Sequence, residues 1–179
     1  MLFRSHDTRR AVGLGIGLLT EDRKTEGLML ELPVLQNMSL ASLSAFAKAG
    51  FVDEGRERSA VQSFVDRFRV KTPGLGQAIK NLSGGNQQKV LLARWLMRGL
   101  KVIVVDEPTR GIDVGAKSEI FALIDQLAGE GLAVIMMTSE MPELLGLSDR
   151  IAVMAEGRIT AVMPRDAATQ EIILNAAIA

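Results

Sequence analysis

Cysteine is absent from the 179 residues, which excludes disulfides and thiolate metal sites and fits a reducing compartment. Tyrosine is also absent, and aromatic residues make up only 4% of the chain against 47% hydrophobic residues. The interior must therefore be built from Leu, Ile, Val, Ala and Met, as is typical of an α/β protein. Neither sign of charge is in excess, with 21 basic and 21 acidic side chains, so no broad field exists to attract nucleic acid or an anionic membrane. No apolar run approaches the length of a membrane span, and the glycine-broken stretch near the N-terminus is too short for a secretory leader. A soluble protein is expected. Also missing from these residues is any Gly-x-x-x-x-Gly-Lys-Ser/Thr run, or any Gly-Lys pair. The sequence thus carries no loop of that kind to cradle the α- and β-phosphates of a nucleotide.

What is present concentrates between residues 82 and 113. Leu82-Ser83-Gly84-Gly85-Asn86-Gln87-Gln88 opens a helix expected to run from about Asn86 to Arg98. Gly84 and Gly85 have no side chain to block an anion, Ser83 adds a hydroxyl donor, and the helix start aims free N–H groups at that point. Locally, the same string also fits an ordinary helix cap with a flexible lead-in. Val102-Ile103-Val104-Val105 reads as a strand buried on both faces of a parallel sheet. Asp106 and Glu107 fall at its carboxyl end, where such sheets place function. Two adjacent acids suit a cation or a polarised water, although an acidic helix cap reads the same way. Pro108-Thr109 favours the first reading, and Arg110-Gly111-Ile112-Asp113 then forms a tight turn presenting a further carboxylate.

Around this stretch, residues 14 to 20 predict a strand closely packed at Gly15 and Gly17. Glu21-Asp22-Arg23-Lys24 predicts a charged turn. Residues 34 to 48 and 53 to 70 have apolar positions at helical spacing, with Asn37 and Asp53 as starts, Gly50 as a stop and Thr72-Pro73-Gly74 as a second break. Lys89, Arg94 and Arg98 are expected to be solvated, and Trp95 to be a packing anchor. Further on, a helix is expected over 116 to 128, a buried strand over 132 to 137, a strand pair turning at Glu156-Gly157, and a closing helix over 169 to 178. His6, the only histidine, and Arg4, Arg9 and Arg10 read as a solvated start.

The joint presence of Leu-Ser-Gly-Gly-Asn-Gln-Gln, Asp-Glu-Pro-Thr and Arg-Gly-Ile-Asp resembles the ATP-binding-cassette (ABC) ATPases. Glu21-Asp22-Arg23-Lys24 and Ser139 resemble the second cassette of the duplicated ATPases of bacterial monosaccharide importers. The resemblance implies an α/β P-loop ATPase domain, a mostly parallel sheet with helices plus an ABC helical subdomain, incomplete because the Walker-A portion is absent. It implies three parts: residues 1–24 as a core strand and Q-loop-like turn, 25–100 as the helical subdomain ending in the signature helix, and 101–179 as the C-terminal half of the ATPase core. By the same resemblance, Ser83, Gly84, Gly85, Asn86 and Gln87 face an ATP held by the opposite nucleotide domain of a dimer. Asp106 helps hold Mg²⁺, Glu107 orients or deprotonates the attacking water, and Asp113 belongs to the nucleotide-facing turn.

Two positions depart from the family pattern. Glu21 stands where the Q-loop glutamine is expected; it can still ligate Mg²⁺ but adds negative charge beside phosphates. Ser139 stands where a switch histidine is expected, and it can donate a hydrogen bond without carrying charge. The implied partners are a second ABC nucleotide-binding domain, membrane permease subunits and, indirectly, a periplasmic sugar-binding protein, with no nucleic acid. The implied location is cytoplasmic, on the inner face of the membrane through the permease. The chain reads as a truncated frame or one half of a split subunit, inactive alone. Two other readings stand beside this one: an interaction fragment without catalysis, and a non-transport ABC ATPase, which predicts a basic groove or coiled-coil insertion that the sequence lacks.

Overall fold

The computed structural model describes residues 7–178, so Arg4 and His6 lie outside the described residues. Two compact units are present, one ending at Met137 and the other beginning at Thr138.

In the first unit a short helix α1 (Thr8–Gly13), capped by Asp7, leads into strand β1 (Ile16–Leu19). The chain then makes a single π-type turn, Arg23–Gly27, closed by a bond from the Leu28 N–H to the Arg23 carbonyl. Helices α2 (Val34–Ser39) and α3 (Leu43–Phe46) are joined by a 3₁₀ turn. A two-strand ribbon follows, β2 (Ala47–Lys48) antiparallel to β3 (Phe51–Val52). Next come α4 (Glu54–Arg67), α5 (Gly84–Leu96), β4 (Val102–Asp106), α6 (Val114–Gly129) and β5 (Ala133–Met137).

The sheet is parallel in the order β1-β4-β5, with Leu18 opposite Val104 and Val104 opposite Ile135. Helix α5 packs against α2, α4, α6 and β1, around a core that includes Leu19, Met38, Val61, Ile79, Val90 and Ile103. A satellite cluster of Ile112, Ile120 and Ile124 seats α6. Its inward residues Ile120, Leu123, Ile124 and Leu127 are those the helical spacing predicts. Trp95 lies against Gly17, where an added Cβ would stand 3.1 Å from the indole ring, so the close packing and the packing anchor are one contact.

Several expectations are corrected. The helix expected over 34 to 48 is interrupted by the 3₁₀ turn at Leu40–Ser42 and ends at Phe46, before a two-residue hairpin turn in which Ala49 and Gly50 take positive φ (51° and 87°) and pair the flanking residues as strands. Asn37 is not a helix start; the helix begins after Pro33, whose fixed φ suits an entry. The second helix is capped by Asp53, as expected, but ends at Arg67, before the proline. Arg69 takes a φ of 50° there, and the Val70 N–H turns back to the Val65 carbonyl. Helix α5 starts at Gly84, not Asn86.

Strands β4 and β5 are covered on one face only. Ile103 and Val105 are buried, whereas Leu18, Ile135 and Met137, on the other face, are 47%, 54% and 42% exposed. Lys89 and Arg94, expected in solvent, are both buried.

The second unit holds α7 (Met141–Leu147), the antiparallel pair β6 (Arg150–Ala155) and β7 (Arg158–Pro164), and α8 (Gln170–Ile178). Glu156 and Gly157, both at positive φ, make the turn between the strands as expected. Ile151, Val153 and Ile173 form its core. Among the described residues no helix is long and apolar enough to cross a membrane.

Candidate functional site

The N-terminus of α5 and the turn after β4 come together in the first unit. Ser83 is the N-cap residue of α5, but its side chain makes no cap bond; its hydroxyl instead accepts from Asn86 Nδ2 at 2.8 Å. Asn86 Oδ1 accepts from the Lys71 N–H at 2.8 Å, so Asn86 fixes the loop on both sides. Ser83 itself is exposed, at the positive end of a 13-residue helix.

Gly84 and Gly85 are explained by a constraint that local sequence does not reveal. A Cβ on Gly84 would lie 2.7 Å from Arg23 Nη2 and 3.3 Å from the Gly111 carbonyl oxygen. A Cβ on Gly85 would lie 2.7 Å from the Ala116 Cβ, in the first turn of α6. Both glycines let the helix start approach the 110–116 segment closely, whatever else they face. Gln87 points inward: its Oε1 accepts from Arg23 Nε at 3.3 Å and its Nε2 donates to the Ile79 carbonyl at 3.1 Å.

Asp106 ends β4, and Glu107 leaves the strand at a φ of 42°. That conformation is strained for a residue with a side chain, by about 1 kcal/mol or more. It is fixed by neighbours: the Glu107 N–H donates to the Met137 carbonyl at 2.9 Å, and the Glu107 carbonyl accepts from the Arg110 N–H at 3.0 Å. Pro108 and Thr109 are buried beneath the turn, and Gly111 takes a φ of 65°. Asp113 caps α6, accepting from the Ala116 N–H at 2.9 Å. One backbone turn thus runs from the two acids to the glycine that abuts the start of α5.

The Glu21-Asp22-Arg23-Lys24 segment divides its charges. Glu21 is ion-paired with Arg110. Asp22 accepts from the N–H groups of Lys24 and Thr25, and the Thr25 and Lys24 bonds hold its carboxyl below the usual range. Arg23 is buried, donating from Nη1 to the Arg110 carbonyl at 2.7 Å and from Nη2 to the Gly111 carbonyl at 3.0 Å. Burial lowers its pKa, partly offset by the Asp22 charge. A cleft of about 390 Å³ opens beside it, lined by Arg23, Lys24, Lys80, Gly84, Gln87 and Gly111 among others. Cationic side chains and a helix N-terminus converge there, an arrangement suited to an anion. Ser139 lies in the second unit, just before α7.

Sequence reasoning missed Arg23 and Arg94. The run Val90 to Leu96 is apolar nearly all round the helix, which signals burial and could have flagged Arg94. Nothing local distinguishes Arg23 from its solvated neighbours.

Mg²⁺ takes one or two protein carboxylates and completes its shell with water and phosphate oxygens. Among the described residues no cluster of three or more His, Cys, Asp or Glu forms a cage. The adjacent acids Asp106 and Glu107 fit a metal carried in on a phosphate ligand rather than one held by protein alone.

Residues 3–110 match the ABC transporter family. The chain is 56% identical over 168 residues to the ribose import ATP-binding protein RbsA of Rhodopirellula baltica, covering 94% of this chain and 33% of that protein. It is 52% identical over 170 residues to a putative ribose/galactose/methyl galactoside import ATP-binding protein of Geobacillus kaustophilus, covering 95% of this chain and 34% of the relative. The chain thus spans about a third of the length of the curated relatives it matches. Among solved structures, the ATP-binding cassette MJ0796, a dimer in a post-hydrolysis state bound to ADP and Pi, superposes with a TM-score of 0.68 at 22% identity. That match covers 84% of this chain and 62% of the other and supports the α/β fold with its parallel sheet.

Proposed function

This chain belongs to the ABC transporter family, and on that premise we propose that it forms part of the ATP-hydrolysing subunit of a bacterial sugar importer, presenting its α5 N-terminus to an ATP held by a second nucleotide-binding domain. The observation that carries this reading is the exposed start of α5 at Ser83, with Gly84 and Gly85 pressed against the turn that leads back to Asp106 and Glu107. The names of the relatives, a ribose import ATP-binding protein and a putative ribose/galactose/methyl galactoside import ATP-binding protein, support the substrate class.

In this reading Ser83, Gly84, Gly85 and Asn86 contact the partner's triphosphate, and Gln87 and Asp113 hold the segments that do so. Asp106 would hold Mg²⁺, which neutralises phosphate charge when bound, and Glu107 orients or deprotonates the attacking water. Glu21 takes the place of the Q-loop glutamine and Ser139 that of the switch histidine, each by resemblance to the family pattern. Residues 1–24, 25–100 and 101–179 serve as strand and turn, helical subdomain and core half. The subunit sits in the cytoplasm on permease subunits, served indirectly by a periplasmic sugar-binding protein.

The 179 residues contain no Gly-x-x-x-x-Gly-Lys-Ser/Thr loop, so we propose that the chain by itself neither holds nor turns over ATP. The same observation favours a second reading, an interaction fragment without catalysis. Equilibrium binding of Mg-ATP to the chain alone tests the proposal. No saturable binding in the micromolar range is expected, and micromolar binding by the lone chain would overturn it.

A further inference from the structure

We infer that Arg23 is a positioning residue that sets the register between the α5 N-terminus and the Gly111 turn. The inference deepens the proposed function and rests on it for its catalytic consequence.

Arg23 has three acceptors in three directions: the Gln87 side chain on α5, and the Arg110 and Gly111 carbonyls on the turn. A planar guanidinium donates to all three at once, which a lysine ammonium on a flexible stem cannot reproduce in the same geometry. The Arg23 Nη2 also occupies the space where Gly84 would carry a Cβ, so the same group bonds the turn and bounds the helix start.

The segment that carries Arg23 is itself held at both ends. Glu21 pairs with Arg110 at one end, and at the other Arg94, from the last turn of α5, donates to the Gly27 carbonyl. Between them the backbone is closed by the Asp22 cap and the π-type turn. A shift of residues 21–27 at the end of β1 therefore moves the start of α5 and the Gly111 turn together. Since the first presents Ser83 and the second carries Asp113, Arg23 governs how the two nucleotide-facing segments stand to one another without itself touching ATP.

Hydrogen exchange on the whole chain tests the register. Arg23→Lys should speed exchange of the Gln87, Arg110 and Ile112 amides together by about ten-fold, with the β6-β7 amides unchanged. Unchanged exchange at these three, or release of only one of them, would overturn the inference. Should Arg23→Lys unfold the chain, Gly84→Ala provides the second test, because its methyl displaces the guanidinium while Arg23 remains. It should release the same amides, and if it leaves the Arg110 and Ile112 amides protected the inference fails.

A kinetic arm separates this inference from the reading beneath it. The chain is mixed with an ABC domain that carries its own glycine-lysine phosphate loop. Arg23→Lys should then lower kcat for Mg-ATP about ten-fold while KM moves less than about two-fold, because the partner's loop still holds the nucleotide. Stimulation by the wild-type chain that Arg23→Lys leaves intact contradicts the inference alone. No stimulation by the wild-type chain, with the exchange result as expected, contradicts the proposed function and leaves the register role standing.

Discussion

Arg94 donates to Asn37 twice, from Nε to its carbonyl at 2.6 Å and from Nη2 to its side-chain oxygen at 2.8 Å. Asn37 in turn accepts from the Met29 N–H and donates to the Met29, Leu32 and Pro33 carbonyls. The pair stitches the loop before α2 to α5 without any carboxylate. Burial pulls Arg94 down to about 10, which leaves it charged at neutral pH.

Replacing Arg94 by Met removes that charge but strands the Gly27 and Asn37 acceptors. The expected cost is about 3 kcal/mol of stability, from losing charge-assisted bonds at buried acceptors. Urea unfolding measures it, and a change below about 1 kcal/mol would show that water replaces the guanidinium.

Lys89 is buried on α5 and pairs with Glu119 on α6 at 2.7 Å, with the Arg69 carbonyl as a weaker acceptor at 3.4 Å. The bond and charge of Lys89 hold the Glu119 carboxyl below its usual value. Because the folded pKa lies below the unfolded one, this pair stabilises the fold above the ordinary carboxylate range and is lost as pH falls through the folded value. Glu119→Gln should cost about 1 kcal/mol at pH 7. The difference from wild type should vanish at acid pH, which thermal melts across the pH range will show.

Gly85→Ala should destabilise by about 1–3 kcal/mol, since its methyl meets the Ala116 Cβ within a packed interface. Ala116→Gly alone should cost about 1 kcal/mol as a glycine in a helix. Combined, the two should recover much of the loss. A double variant as unstable as the sum of the singles would show that the contact is not the reason for the glycine.

The bare sheet face joins Leu18, Val104 and Ile135 in one row across three strands. Contiguous apolar surface of this kind drives association, so the isolated chain should self-associate at micromolar concentration. Leu18→Ser with Ile135→Thr should lower the associated fraction in sedimentation, with little change in the melt. A wild-type chain that sediments as a monomer and melts sharply and reversibly contradicts this.

The sequence marked the parallel strands, the inward face of α6 and the β6-β7 hairpin because each rests on local periodicity or turn chemistry. It misplaced Lys89 and Arg94 because solvation is the default for cations, and only tertiary acceptors such as the Asn37 carbonyl and Glu119 reverse it. Gly84 and Gly85 were legible as special, but the close neighbours that demand them, Arg23 and Ala116, lie 61 and 31 residues away along the chain. The helix expected over 34 to 48 stops early, at Phe46, because the hairpin turn that follows needs a positive φ at Ala49, of which alanine gives no warning.

The proposed role of the α5 N-terminus is to complete an ATP site held by another domain. Its most direct test is single-turnover hydrolysis of Mg-ATP by an ABC domain with its own phosphate loop, in the presence of this chain or its Ser83→Ala variant. The wild-type chain is expected to accelerate the partner's turnover, and Ser83→Ala to reduce the acceleration about ten-fold or more. Equal acceleration by both chains would contradict it.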